Sequence, residues 1–180
     1  MAIDCGRIRG FNYQPSYAGS LQMVWTHFDR DVWEREVAWS KRFGTNMLRV
    51  WLDWHAWAAL ADGMFDVLER ALDVLAANDI RMMPVLFNRW NDAALPMGMV
   101  ADRDIATGGY GFEKFEPYVR GLMERFGDDD HVAIWDLCNE PQAPRLDADL
   151  SFREVMWLSR IADWLRQSSE LGQQSDRPDL

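Results

Sequence analysis

Only two cysteines, Cys5 and Cys138, stand in the 180 residues, far apart and without metal-type spacing. A disulfide framework and a cysteine-bound metal are excluded as organising features. No apolar run approaches the ~20 residues of a membrane-spanning helix. The N-terminus, MAIDCGRIRG, lacks the apolar stretch of a signal peptide. As written the chain reads as cytoplasmic, and as secreted only if a leader has been trimmed. Positive charge is scarce: 19 Lys and Arg against 29 Asp and Glu leave a net charge of −10. That balance excludes a nucleic-acid partner, whose phosphates demand a basic patch, and speaks against an anionic membrane surface. The histidines His27, His55 and His131 show no ligand spacing of the His-x-His or His-Glu-x-x-His kind. No metal and no cofactor is implied. A Gly-x-Ser-x-Gly elbow is missing, which removes the common serine hydrolase. Gly108-Gly109-Tyr110-Gly111 is no phosphate cradle, because it does not lie between a strand and a Lys-bearing helix start.

Tryptophan is the residue in excess, with 10 copies in a chain that is 48% hydrophobic and 27% charged. This is a globular composition at a length that suits one domain, residues 1–180. Most of the tryptophans are expected in the core and between helices, and two or three in a cleft, where an indole stacks on sugar rings.

The hydrophobic pattern alternates between two periods. Arg7–Tyr13, Thr45–Leu52, Arg81–Phe87 and Val132–Pro141 read as strands, and Thr45–Leu52 is almost continuously apolar except for Arg49, as a strand buried on both faces should be. Pro84 is the flaw in the third, since proline gives up a ladder bond. Asp31, with Glu34 three residues on, predicts a capped helix that runs to about Phe43 and stops at Gly44. Gln14–Thr26 and the aromatic stretch Asp53–Ala61 read as loops. Phe65, Leu68, Leu72 and Leu75 predict a second helix, closed by Asn78. Phe112, Phe115, Val119, Leu122 and Phe126 predict a third. Asn88–Gly111 is long and irregular, as functional loops are. Asp128-Asp129-Asp130 reads as a solvated turn, with His131 a surface residue beside it. A last helix is expected over about Leu150–Ser168, with Phe152, Val155, Leu158, Ala162 and Leu165 inward, then a loose polar tail over 170–180. The order βαβαβαβα predicts a parallel sheet with right-handed crossovers.

In such a sheet, chemistry gathers at the strands' C-terminal tips. Val132–Pro141 ends in Asn139-Glu140-Pro141, a carboxylate delivered to a strand tip. Gly10-Phe11-Asn12-Tyr13 ends the first strand, Leu48-Arg49-Val50-Trp51 lies in the second and Pro84–Asn88 in the third. Together with Trp135–Pro141 these motifs resemble the first half of the clan A retaining glycoside hydrolases, closest to the family 5 cellulases and mannanases. The resemblance covers about residues 6–170. It implies an α/β fold: a parallel (βα)4 half of a TIM (β/α)8 barrel with sequential strand order. It also implies action on a β-linked oligosaccharide or polysaccharide. By resemblance Glu140 is the general acid/base, Asn139 contacts the sugar 2-hydroxyl and Arg49 holds the carboxylate machinery. Asn12, Trp51, Trp54, Asn88 and Trp90 fall at cleft positions.

A glycosidic oxygen leaves only when protonated, and a carboxyl whose pKa an apolar site has raised supplies the proton near neutral pH. Trp135, Leu137 and Cys138 are expected to form that apolar surrounding for Glu140. A retaining mechanism also needs a second carboxylate about 5 to 5.5 Å away.

A TIM barrel takes eight strands and about 250 residues, and the family's nucleophile lies on the seventh strand. Four βα units in 180 residues leave that position without a counterpart. The expectation is a truncated or split barrel, or a half-barrel that pairs with a second copy of itself. A third alternative is a divergent chain that keeps the scaffold for another use. Asp53, Asp92 and Asp136 are weighed as local substitutes for the nucleophile, Asp53 the best of them, but each reads first as a structural or solvated carboxylate. The rival function is a non-catalytic carbohydrate-binding or interaction half-barrel that keeps the aromatic cleft.

Overall fold

The computed structural model describes residues 5–88, 113–141 and 148–175. After a 3₁₀ turn at Cys5–Arg7, the elements run β1 (Gly10–Asn12), α1 (Leu21–Thr26), α2 (Arg30–Lys41), β2 (Met47–Trp51), α3 (Trp54–Leu60), α4 (Asp62–Ala76), β3 (Arg81–Asn88), α5 (Glu116–Phe126), β4 (Asp136–Asn139) and α6 (Ala148–Ser175). The four strands form one sheet in the order β1-β2-β3-β4, every pair parallel. The all-parallel sheet is the one the alternating periods predict, and the sequential (βα)4 order is the one the resemblance implies. Among the described residues no helix is long and apolar enough to cross a membrane.

Packing explains the strands. Leu48, Val50 and Leu52 are buried in and just beyond β2, while Arg49 and Trp51 are half-exposed. Phe65, Leu68, Leu72 and Leu75 of α4 are buried as expected, and so are Phe115, Val119, Leu122 and Phe126 at and in α5. Gly10 is set by close approach: a Cβ there would lie 2.2 Å from the Met47 carbonyl oxygen. Gly44 ends the turn after α2 with φ +70°, a backbone that glycine adopts without cost. Asn78 closes α4 by donating from Nδ2 to the Val74 carbonyl at 2.9 Å.

Pro84 stays in β3, paired with Val50. Met82 donates to the His131 carbonyl and accepts from Ala133 N–H, so the backbone two residues on, at Pro84, faces the same side. There the ladder is broken. Met82 bridges Val132 and Val85 pairs with Asp136, so three steps along β3 face four along the incoming chain. The extra residue is a bulge, placed where Pro84 has no N–H to give. The fourth strand is accordingly shorter than the expected Val132–Pro141.

Other expectations are corrected. Asp29, not Asp31, caps α2, accepting from Val32 N–H at 3.1 Å. Glu34 instead takes Arg30 at 2.6 Å, one turn away. Gln14–Thr26 holds α1, capped by Ser20. Asp53–Ala61 is not a loop but α3, because Asp53 accepts from Ala56 N–H at 2.7 Å and starts a helix. Helix α6 buries Trp157, Ile161 and Trp164, whereas Phe152 and Val155 are exposed. Two indoles outweigh one phenyl and one valine in the area they remove from water. The helix also continues through 170–175, over part of the expected tail. Phe112 and residues 176–180 lie outside the described residues.

Candidate active site

The C-terminal ends of all four strands are joined by one chain of polar side chains. Arg49 on β2 reaches over β3 to β4. Its Nε and Nη2 donate to Asp136 Oδ2 at 2.9 and 2.6 Å. Nη2 also donates to Asn139 Oδ1 at 3.1 Å, and Nη1 to Asn12 Oδ1 on β1 at 3.3 Å. Asn139 Nδ2 in turn donates to Asn88 Oδ1 on β3 at 3.0 Å. The guanidinium lies 4.6 Å from the centre of the Trp51 ring, a stacking arrangement suited to its planar cation. Asp136 is locked from its other side as well, since Oδ1 accepts from Cys138 N–H at 3.2 Å.

Glu140 follows the last residue of β4. It is exposed, and its backbone is left-handed, with φ +49°. For an L-residue with a Cβ that conformation is strained, and such strain gathers at functional sites. The apolar surrounding expected from Trp135, Leu137 and Cys138 is not formed around it. Cys138 is buried in the core, and Trp135 and Leu137 pack against that same core.

Asn12, Arg49, Asn88 and Asn139 are therefore brought into one network, with Trp51 stacked on it and Glu140 adjoining. Trp54 stands apart, at the start of α3, with its ring 5.0 Å from Phe115 and Lys114 Nζ 5.0 Å from its centre. Trp90 and Asp92 lie outside the described residues. Asp53 is not a substitute nucleophile: its carboxylate is wholly buried and caps α3. Burial pushes its pKa up, opposed by the Ala56 N–H and by His55, whose Nδ1 is 3.9 Å away. Among the described residues its Oδ2 has no hydrogen-bond partner.

Sequence reasoning gave Asp136 a structural or solvated role ahead of a nucleophilic one, and the structure makes it structural, but its partner Arg49 went unnamed. A signal was present. Arg49 is a charge inside an apolar strand, and such a charge needs a partner. Asp136 is the sole acidic residue in β1–β4.

No protein-family model matches the chain, and no curated protein matches it. Among solved structures it is similar to the exo-β-1,4-mannosidase Op5Man5 from Opitutaceae bacterium strain TAV5, at 21% identity and TM-score 0.71 over 88% of this chain and 30% of that one. It is also similar to GH5_18 from Streptomyces cattleya, solved in complex with GlcNAc, at 18% identity and TM-score 0.70, covering 90% and 42%. The β-glucosidase from Thermotoga maritima in complex with castanospermine follows at 18% identity and TM-score 0.60, covering 94% and 48%. The chain thus spans less than half the length of each. At these identities the likeness is one of fold: the four βα units have the arrangement of part of a TIM barrel.

Proposed function

We propose that the chain supplies one half of a retaining glycoside hydrolase acting on β-linked glycosides, with Glu140 as general acid/base. The observation that carries this reading is the contact between Arg49 and Asn139, directly before Glu140, at the C-terminal edge of a parallel sheet. That edge is where barrel enzymes assemble their chemistry. The mannosidase and the β-glucosidase among the structural neighbours support the substrate class.

In this reading the protonated Glu140 gives its proton to the glycosidic oxygen as the bond to the anomeric carbon breaks. The second carboxylate bonds to the anomeric carbon as the leaving group departs; the Glu140 carboxylate then takes a proton from water, whose oxygen bonds to that carbon and displaces the second carboxylate. Asn139 and Arg49 hold the sugar and the carboxylate frame. We place the second carboxylate in a partner half, since of the residues weighed for it Asp53 caps a helix, Asp136 is bound by Arg49 and Asp92 lies outside the described residues. Either further barrel units or a second copy of the chain contribute it.

The test is hydrolysis of a panel of aryl β-glycosides and of β-glucan and mannan oligosaccharides, with Glu140→Gln as control for host glycosidases. Activity is expected to fall by a factor of about 10² or more in the variant; equal turnover in both proteins overturns the assignment. A second reading, a non-catalytic carbohydrate-binding half-barrel, draws on the exposure of Glu140 and the engagement of both neighbouring aspartates. It expects oligosaccharide binding that survives Glu140→Gln and no turnover by either protein.

A further inference from the structure

We propose that Asp136 is a positioning residue: it anchors Arg49, and through Arg49 fixes which way the side-chain amide of Asn139 faces a bound sugar. The inference rests on the glycoside reading above.

Arg49 carries five N–H groups. One on Nε, one on Nη1 and two on Nη2 are used by Asp136, Asn12 and Asn139. Two of these four bonds end on the same Asp136 oxygen. That pair is charge-assisted, and it is the only part of the set that resists rotation of the guanidinium about its long stem. The bonds to Asn12 and Asn139 are longer and go to neutral oxygens, so they follow the orientation that Asp136 sets.

Asn139 then has no freedom to flip. A flip would turn its Nδ2 donors against the Arg49 donor and its oxygen against Asn88 Oδ1. With Oδ1 facing Arg49 and Nδ2 facing Asn88, one oxygen lone pair and one N–H are left by the described residues for a ligand. A vicinal sugar hydroxyl, both donor and acceptor, matches that remainder. Asp136 touches no ligand in this scheme; it determines the face that Asn139 shows.

The experiment uses the whole 180-residue chain and its Asp136→Asn variant. Cellotetraose and mannotetraose serve as probes by calorimetric titration, and NMR follows the Arg49 Nε–H and the Asn139 side-chain amide. Replacing the carboxylate by an amide is expected to weaken binding of whichever probe the parent takes by about tenfold. The Arg49 Nε–H is expected to move to the position and exchange rate of a solvated arginine, with the Asn139 amide pair moving alongside. An Asn139 amide that stays in place in the variant overturns the proposal, as does unchanged affinity. If the parent binds neither sugar, the glycoside reading fails, and the Asn139 resonance alone decides the anchoring. Should Asp136→Asn not fold, Asp136→Glu keeps the charge, displaces it by one methylene and is read in the same way.

Discussion

Arg49 on β2 and Asp136 on β4 are bound to each other across the strand between them, through two hydrogen bonds to a single carboxylate oxygen. Both side chains are about four-fifths buried, with exposures of 22% and 19%. Neither charge is fully hydrated, so removing one leaves the other without compensation. Arg49→Ala is expected to cost about 2 kcal/mol. Urea unfolding at neutral pH checks this; a midpoint within error of the parent's would show the pair contributes nothing.

Glu140 holds a left-handed backbone, with φ +49°. An L-residue there costs about 1–2 kcal/mol, part of which glycine gives back through the greater freedom of its unfolded chain. Glu140→Gly is expected to stabilise the protein by about 0.5–1 kcal/mol while abolishing any Glu140-dependent activity. Chemical denaturation beside the hydrolysis assay measures both. A destabilised glycine variant would mean that the Glu140 side chain holds the fold.

Asp53 makes stability depend on pH. Burial raises its pKa above that of a free aspartate, so the folded chain binds its proton more tightly than the unfolded chain does. Its contribution is greatest below the unfolded pKa and is lost as pH rises through the folded one. Asp53→Asn keeps an oxygen for the Ala56 N–H and abolishes the ionisation. It is expected to be more stable than the parent at pH 7 and to lose the parent's decline on going up from about pH 4. Asp53→Ala loses the cap and is expected to cost about 1 kcal/mol at acid pH. Unfolding curves from pH 3 to 8 separate these outcomes, and parallel profiles for the parent and Asp53→Asn contradict the assignment.

Gly10 is where β1 closes on β2. A Cβ would sit 2.2 Å from the Met47 carbonyl oxygen, a backbone atom that cannot swing aside. Gly10→Ala is expected to cost about 2 kcal/mol or more and to detach β1. Amide exchange at Tyr13, which donates to the Arg49 carbonyl at 2.9 Å, reports the loss. Retained protection there would show that β1 accommodates the side chain.

The alternation of strands and helices and most of the core were legible because apolar runs and helical stripes are local signals, whereas the strand order came from the resemblance. The tips of β2 and β4 were legible too, as Arg49 and Asn139 do meet. What escaped depends on distant partners. The bulge opposite Pro84 follows from a bond that proline cannot make to a strand some fifty residues away. Asp53 reads as a loop residue until it is seen to hold Ala56 N–H. Asp136 gains its meaning only from Arg49, 87 residues earlier in the chain.

Helix α6 shows the same lesson in a form that a pair of substitutions can test. Its sequence offers two apolar stripes, one through Phe152 and Val155 and one through Trp157, Ile161 and Trp164. The structure turns the tryptophan stripe inward, setting Trp157 against Phe87 at 5.1 Å and Phe115 at 6.1 Å between ring centres. Phe152 is left 65% exposed. Burial then decides the costs. Trp157→Ala empties a packed site and is expected to lose about 3–5 kcal/mol, whereas Phe152→Ala is expected to stay within about 0.5 kcal/mol. Denaturation of the two variants side by side checks the orientation of the helix. Comparable losses would mean that the Phe152 face is also covered in solution, and a larger loss at Phe152 would reverse the assignment of the two stripes.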